Sequence, residues 1–282
     1  MRSDTENIYR QKVNQAIDYI SANLHEPLRL DKLASQMNVS QSQLLRIMRS
    51  SLDESLSSYI ARQRVERAVL YMQAEKMSLT QLAEMVGYDN AQSFSKAFKK
   101  HFGISPKIYI DKQLAKLESY LKSSGNRQDT PQSEIYETSD LELVYIRIIG
   151  KYGEKNPYET AWNKLFRFLS ENQALSEKTR VIGISFDNPN VTKEEQCRFY
   201  ACASVEKKIA PTGEFGTIRL QKGKYAVSTL RGNYSGLQAL YNNISINFGY
   251  NLRYGLAFEE YLNSPHNTPE EKLLTKIFIP IK

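Results

Sequence analysis

The chain is short of the side chains that most catalytic and metal chemistry requires. Its 282 residues include two cysteines, three histidines and one tryptophan. Cys197 and Cys202 lie in one apolar, strand-like run. At i and i+5 on a period-two element they face opposite sides, so they cannot easily bridge each other. Reduced, buried thiols in a reducing cytoplasm are expected. The scattered histidines offer no metal-ligand spacing alongside them. No apolar run is long enough to span a bilayer, and Arg2 to Lys12 is polar, without a signal-peptide core. No nucleophile with its base, no metal cluster and no cofactor motif stands out, so neither metal nor cofactor nor membrane is an expected partner.

Positive charge is what the chain has in excess. Lys and Arg number 38 against 31 Asp and Glu, giving a net charge of +7. That surplus favours a polyanionic partner without naming one. A chain of this length is expected to divide into two domains. Residues 123–133, SSGNRQDTPQS, contain no apolar side chain and both glycine and proline. They read as a flexible linker between a helical region, 1–122, and a mixed one, 134–282.

The most specific stretch of the helical region is 79–109, LTQLAEMVGYDNAQSFSKAFKKHFGISPKIY. Leu79, Leu82, Ala83 and Val86 recur at helical spacing, and Gly87 can end that helix in a left-handed conformation. Asp89 or Asn90 can cap the next helix, with Phe94, Ala97, Phe98 and Phe102 on its buried face. Pro106 pushes its predecessor out of the α region, and a last helix, IYIDKQLAKLESYLK, follows. The pattern predicts helix, tight turn, helix.

A degenerate copy precedes it. Leu33-Ala34 corresponds to Leu82-Ala83, Ser40 can cap QSQLLRIMRSSL, and Leu44, Met48 and Leu52 fall on Phe94, Phe98 and Phe102. The copy replaces Gly103 and Pro106 by Asp53 and Leu56, which weakens the expectation of the same closing turn. Between the copies, SYIARQRVERAVLYMQ predicts a connecting helix with Ile60, Val65, Ala68, Val69 and Met72 as its apolar stripe.

Gly87-Tyr88-Asp89-Asn90, followed by Ser-Phe-Ser-Lys-x-Phe-Lys-Lys-x-Phe-Gly-x-Ser-Pro, resembles the signature of the AraC/XylS family of transcription regulators. Ala61 to Ala68 resembles that family's linker helix. The resemblance implies an all-α double helix-turn-helix domain whose two reading helices enter successive major-groove faces of double-stranded DNA. One chain then suffices to bind, so a monomer or weak dimer is expected. The base-facing positions it implies are Ser42, Leu45 and Arg46 in the first unit and Ala91, Gln92, Ser95 and Lys96 in the second. Arg46 could bridge guanine O6 and N7 and Gln92 could pair with adenine, each worth about 1–3 kcal/mol of discrimination. Arg49, Lys99, Lys100 and Lys107 are expected on phosphates, where they set register without reading bases. Any single lysine among them reads equally well as a solvated charge.

In the mixed region the pattern becomes strand, helix, strand, strand, given twice. LELVYIRII (141–149), a helix from about Pro157, RVIGISFDNP (180–189) and QCRFYACASVE (196–206) form the first round. GKYAVSTLRGNY, SGLQALYNNISINF, YGLAFEEYL and a last strand from Thr275 to Ile281 form the second. Gly150-Lys151-Tyr152 returns as Gly232-Asn233-Tyr234, and Gly183 to Asp187 is echoed by Gly255 to Glu259. An α+β domain of duplicated β-α-β-β units is predicted, with a concavity between its halves. Tyr145, Trp162, Phe186, Tyr225, Phe258 and Tyr261 are candidates to line it, with Glu259 as its charged group. Strand alternation turns Glu260 to the face opposite Glu259. A carboxylate among aromatic rings attracts a lipophilic cation. It resists neutral and anionic ligands, because a buried unpaired charge is costly.

Asp187-Asn188-Pro189, Cys197-Arg198-Phe199-Tyr200, Gly232-x-Tyr234 and Glu259-x-Tyr261-Leu262-Asn263-x-Pro265 resemble the GyrI-like effector-binding domain of bacterial regulators over residues 135–281. In members that bind lipophilic cations, a glutamate at the Glu259 position lies at the base of the pocket. Together the two resemblances imply a DNA-binding regulator, an activator by family likeness, modulated by a small lipophilic or cationic effector, and not an enzyme. Two alternatives remain open: a fused small-molecule hydrolase in which Glu259 activates water, and an interaction module that touches RNA polymerase or another chain.

Overall fold

The structure, a computed structural model, describes residues 2–74, 77–112, 115, 133–247, 250–253 and 255–282. The chain forms two compact units, Met1–Gly125 and Asn126–Lys282. Most of the expected linker and the end of the last predicted helix lie outside the described residues.

The first unit is helical: α1 (Arg2–Ala22), α2 (Leu30–Gln36), α3 (Gln41–Leu52), α4 (Leu56–Ala74), α5 (Leu79–Met85) and α6 (Ala91–Phe102). Residues 106–112 are also helical and are labelled α7. The pairs α2–α3 and α5–α6 share one turn design. After α5, the amides of Gly87 and Tyr88 donate back to the carbonyls of Glu84 and Ala83 at 3.0 and 2.8 Å. After α2, those of Asn38 and Val39 donate to Ser35 and Ala34 at 3.0 and 3.1 Å. Each turn passes through one left-handed residue, Gly87 (φ 87°) or Asn38 (φ 50°), and satisfies carbonyls that the helix end would orphan. Asparagine tolerates that conformation better than most residues with a Cβ, so the first copy forms without glycine.

Ser40 and Asn90 then start the second helix of each pair, α3 and α6. Ser40 Oγ accepts from the Gln43 amide at 3.2 Å, and Asn90 Oδ1 from the Ser93 amide at 2.8 Å. Both helices also end alike, on left-handed Asp53 (φ 55°) and Gly103 (φ 75°). The closing turn thus survives the change from glycine to aspartate. Val13, Ile17, Ile20, Leu33, Leu44, Met48 and Tyr59 make one continuous core, and α4 packs against both helix pairs. Among the described residues no helix is long and apolar enough to cross a membrane.

The second unit contains β1 (Glu134–Thr138), β2 (Leu141–Ile149), α8 (Lys155–Glu171), β3 (Val181–Ser185), β4 (Arg198–Ser204) and β5 (Phe215–Leu220). It continues with β6 (Gly223–Arg231), α9 (Leu237–Asn247), β7 (Phe258–Tyr261) and β8 (Leu274–Pro280). The strands form one antiparallel sheet in the order β1-β6-β8-β7-β3-β4-β2-β5. The predicted rounds are present as β2-α8-β3-β4 and β6-α9-β7-β8. Each is preceded by a strand that was not expected. Glu134–Thr138 and Phe215–Leu220 are short and carry charged or glycine residues, so their strand character does not show in the pattern.

These extra strands cross between the halves: β1 pairs with β6, and β5 with β2. Thr138 faces Gly223 and Leu141 faces Leu220, so one register runs through both pairings without a slip. At the break, Asp140 accepts from the Lys222 amide at 2.7 Å and from Arg219 at 2.8 Å. One ladder therefore ties the two ends of the sheet together and curls it.

Several predicted elements are shorter than expected for visible reasons. β3 stops at Ser185 rather than Pro189, because Asp187 turns in to the Arg198 amide (2.7 Å) and guanidinium (2.7 and 2.8 Å). α9 starts at Leu237 after a short 3-10 turn, Tyr234–Gly236, where Asn233 Oδ1 accepts from the Ser235 amide at 2.8 Å. Cys197 precedes β4 rather than lying in it; both cysteines are free and buried. On one sheet face Val144, Ile146, Phe199 and Ala201 meet Ala161, Leu165 and Leu169 of α8. The other face holds Tyr145, Ile182, Tyr200, Tyr225, Phe258 and Phe278.

Candidate functional site

The first unit presents two short amphipathic helices whose outer faces carry cations and no acids. Phe94 and Phe98 are buried, with rings 5.6 Å apart, and they fix which side of α6 faces out. Gln92, Lys96, Lys99 and Lys100 are exposed as a result, while Ala91 and Ser95 are half-buried. In α3, buried Leu44, Ile47 and Met48 leave Ser42, Leu45, Arg46 and Arg49 exposed. Lys107 is exposed in α7. Among the described residues no carboxylate pairs with Arg46, Arg49, Lys96, Lys99, Lys100 or Lys107. Other cations of the unit do have partners, such as Arg29 with Asp31 at 2.8 Å. Lysines at the end of α6 also suit the helix dipole. These cations on α3 and α6 additionally leave a field that an anionic backbone can neutralise.

In the second unit Glu259 is 3% exposed. Its Oε1 accepts from Ser185 Oγ at 3.2 Å and from the Tyr241 hydroxyl at 3.1 Å; its Oε2 accepts from the Tyr261 hydroxyl at 2.6 Å. Burial raises its pKa above the usual carboxylate range, and the three donors pull it back without reversing the rise. Burial and then the Glu259 charge push the Tyr241 and Tyr261 hydroxyls up, so both remain donors. Among the described residues no Lys, Arg or His pairs with Glu259. Its neighbour Glu260 is held by Arg180 in a fork of 2.6 and 2.8 Å. Two adjacent carboxylates are thus treated in opposite ways: one is compensated by a cation, the other only by hydroxyls.

Half-buried rings stand around the uncompensated one. Trp162 and Tyr234 lie 5.9 and 5.3 Å from the Tyr261 ring. The hydroxyls of Tyr158 and Tyr234 are raised by burial and, further, by the Glu259 charge. Gly183 faces Glu259 across the β3–β7 pairing. A Cβ there would stand 2.4 Å from the Tyr261 hydroxyl and 2.7 Å from the Phe199 ring. The missing side chain is what lets Tyr261 reach the carboxylate.

Of the seven residues expected to line a ligand site, the structure brings Glu259, Trp162 and Tyr261 together. Tyr145, Phe186, Tyr225 and Phe258 lie instead in the cluster on the opposite sheet face. Tyr145 stacks on Tyr200 at 4.2 Å under Arg147, Phe186 packs on Tyr200 at 4.2 Å, and Tyr225 lies 5.3 Å from Phe258. Period-two alternation already separated Phe258 from Glu259, so grouping them overlooked the pleat. Ser185, Tyr241 and Tyr158 were not anticipated. Ser185 lies two residues from Gly183 and shares its face; Tyr241 and Tyr158 come from helices and gave no local signal.

The registers also correct the internal repeat. Taking Gly150 and Gly232 as equivalent, Tyr145 matches Val227; Tyr145 faces Cys202 and Val227 faces Phe278. Cys202 in turn faces Ile182, and Phe278 faces Phe258. Gly183 therefore corresponds to Glu259 itself, not to Gly255 as the echo in sequence suggested. The first half has no carboxylate where the second has Glu259.

Residues 116–282 match the model of the GyrI-like small molecule binding domain, and residues 33–112 match that of a helix-turn-helix domain. The Msm operon regulatory protein of Streptococcus mutans is 35% identical over 94 residues, 33% of this chain and 34% of that protein. The putative HTH-type transcriptional regulator YkgA of Escherichia coli is 33% identical over 126 residues, 44% of this chain and 53% of that protein. Among solved structures, the C-terminal domain of AraT, a response regulator from Geobacillus stearothermophilus, is 32% identical. It covers 36% of this chain and 84% of its own, with a TM-score of 0.35. The matches span only about a third to a half of these curated relatives, 34% and 53%.

Proposed function

The chain belongs to the GyrI-like small molecule binding domain family and carries an AraC-type helix-turn-helix domain, and from this we propose that it is a cytoplasmic transcription regulator. It reads double-stranded DNA with α3 and α6 and responds to a lipophilic cation received at Glu259. In this reading it is an activator that also contacts RNA polymerase, it catalyses no reaction, and one chain suffices on DNA.

One observation carries the ligand assignment: Glu259 is buried with three hydroxyl donors and, among the described residues, no cation, beside a Glu260 that has Arg180. A buried carboxylate without a counter-charge costs stability, and a cation from solution removes that cost. The rings of Trp162, Tyr234 and Tyr261 add the quadrupole attraction that selects an apolar cation over a hydrated one. The DNA half is supported by the unpaired cations on both reading helices.

Isothermal titration of the intact chain with a lipophilic quaternary-ammonium dye tests the assignment. Binding in the micromolar range, about −8 kcal/mol, is expected. Glu259→Gln should weaken it at least tenfold, ~1.4 kcal/mol, while Glu260→Gln leaves it nearly unchanged. Equal losses for the two variants would reject the Glu259 site.

A further inference from the structure

One turn of α4 carries more buried polar groups than a connecting helix needs. Arg62, Gln63 and Glu66 are 8%, 3% and 5% exposed. Arg62 Nε donates to Glu54 Oε1 at 3.0 Å, and its Nη1 donates to Glu66 Oε2 at 3.3 Å. The other oxygen of Glu66 lies 3.2 Å from His101 Nε2, a close contact that is not aligned as a hydrogen bond. Glu54 stands just past the end of α3, and His101 in the last turn of α6. A continuous polar chain therefore runs from the end of one reading helix, through α4, to the end of the other.

A second tie leaves the same turn. Arg64 Nε donates to the Leu24 carbonyl at 2.9 Å and Nη2 to the Glu26 carbonyl at 2.7 Å. The same guanidinium lies 5.5 Å from the Tyr88 ring and fills the space beside Gly87, where a Cβ would be 2.8 Å from Nη2. Arg64 thus joins the loop after α1 to the turn of the second helix pair. Apolar contacts alone can slide by fractions of an ångström at little cost, but a buried carboxylate held by Arg62 and set against an imidazole cannot. Buried ion pairs add little net stability, so they are better suited to fixing geometry.

We propose that Glu66, with Glu54, Arg62 and His101, fixes the angle and separation between α3 and α6. The chain then discriminates DNA sites by the number of base pairs between the two subsites. Glu66 and His101 act as positioning residues for that selection and do not touch DNA. The inference rests on the DNA-reading assignment above. One inserted base pair moves a subsite about 3.4 Å along the duplex and turns it by ~34°. A rigid helix pair cannot follow that displacement; a loosened one can.

The test uses the intact chain and duplexes enriched by it from random-sequence DNA, each then remade with one base pair added or removed between the subsites. Wild type should lose at least tenfold in affinity on either change. Glu66→Gln and His101→Ala should shrink that penalty to within threefold, with affinity at the original spacing altered less than threefold. His101→Gln, which keeps a donor toward Glu66, should restore the wild-type penalty. Arg46→Ala should change base preference and leave the spacing penalty as it was. If Glu66→Gln fails to fold, His101→Ala decides alone, because that side chain is 24% exposed. A wild type indifferent to spacing, or variants that keep the full penalty, overturn the inference while the DNA assignment stands. Failure to enrich any duplex removes both.

Discussion

Glu259→Gln should make the second unit more stable, although it removes the group proposed to receive the ligand. Without a cation added, the ionised carboxylate is buried with donors and, among the described residues, no counter-charge. Its pKa is raised above the ordinary glutamate value of 4.5, so the folded state binds a proton more readily than the unfolded one. That difference lowers stability as pH climbs from 4.5 through the raised value, and the loss is complete above it. Above the raised value, each unit of the rise corresponds to about 1.4 kcal/mol. Glutamine keeps the shape and a carbonyl acceptor, and its amide can donate to a neighbouring hydroxyl. Glu260→Gln should do the opposite. It breaks a two-bond pair with Arg180, whose side chains are 14% and 28% exposed, and should cost about 1–2 kcal/mol after allowing for water at Arg180. In a unit of this size ~1 kcal/mol moves Tm by about 2–4 °C. The single tryptophan, Trp162, lies in this unit, so its emission follows the unit's unfolding in the intact chain. Thermal melts at pH 7 should show Glu259→Gln above wild type and Glu260→Gln below it. A Glu259→Gln variant that melts as low as Glu260→Gln would mean that the carboxylate is a structural group, and the reasoning would fail.

On the DNA side, Lys100→Ala should weaken all duplexes alike and reduce the slope of log affinity against log salt by about one. Gln92→Ala should instead erase preference at one base pair, measured on a panel of single-base variants, and a uniform loss would remove its reading role. Asp53→Gly should raise the stability of the first unit by ~0.5–1 kcal/mol in urea titrations, because Asp53 sits at φ 55° where Gly103 serves in the second copy. No gain there would mean that the aspartate side chain offsets its own backbone cost. Cation affinity should rise with pH through the raised Glu259 pKa and level off above it, since only the ionised carboxylate offers a charge. The Glu259→Gln variant should show a flat profile over the same range.

The helical unit was the more legible half, because its signals are local. Gly87, Asn90, Phe94 and Phe98 each state a turn, a cap or a face within a few residues, and the structure uses them so. The polar chain through Glu66 and His101 was not legible, since it joins residues far apart in sequence whose meeting depends on how α4 and α6 pack. In the sheet unit, apolar runs and alternation revealed β2, β4, β6 and the side on which Glu259 stands. They did not reveal β1 and β5, whose pairing across the halves is set by long-range register rather than by apolar content. The aromatic residues show the same limit. Tyr145, Phe186, Tyr225 and Phe258 look like ligand-lining rings in a list, but only strand pairing tells which face each one takes. The Arg180 fork on Glu260, which makes Glu259 distinctive, spans 80 positions of sequence.

A lipophilic quaternary-ammonium dye and its uncharged isostere, titrated side by side against wild type and Glu259→Gln, separate charge recognition from simple apolar binding. Trp162, 5.9 Å from the Tyr261 ring, supplies the fluorescence readout. Wild type should bind the cation at least tenfold tighter than the isostere, ~1.4 kcal/mol, and Glu259→Gln should bring the two within about threefold. Equal binding of dye and isostere by wild type, or a cation preference that survives Glu259→Gln, would show that the buried carboxylate does not receive the ligand.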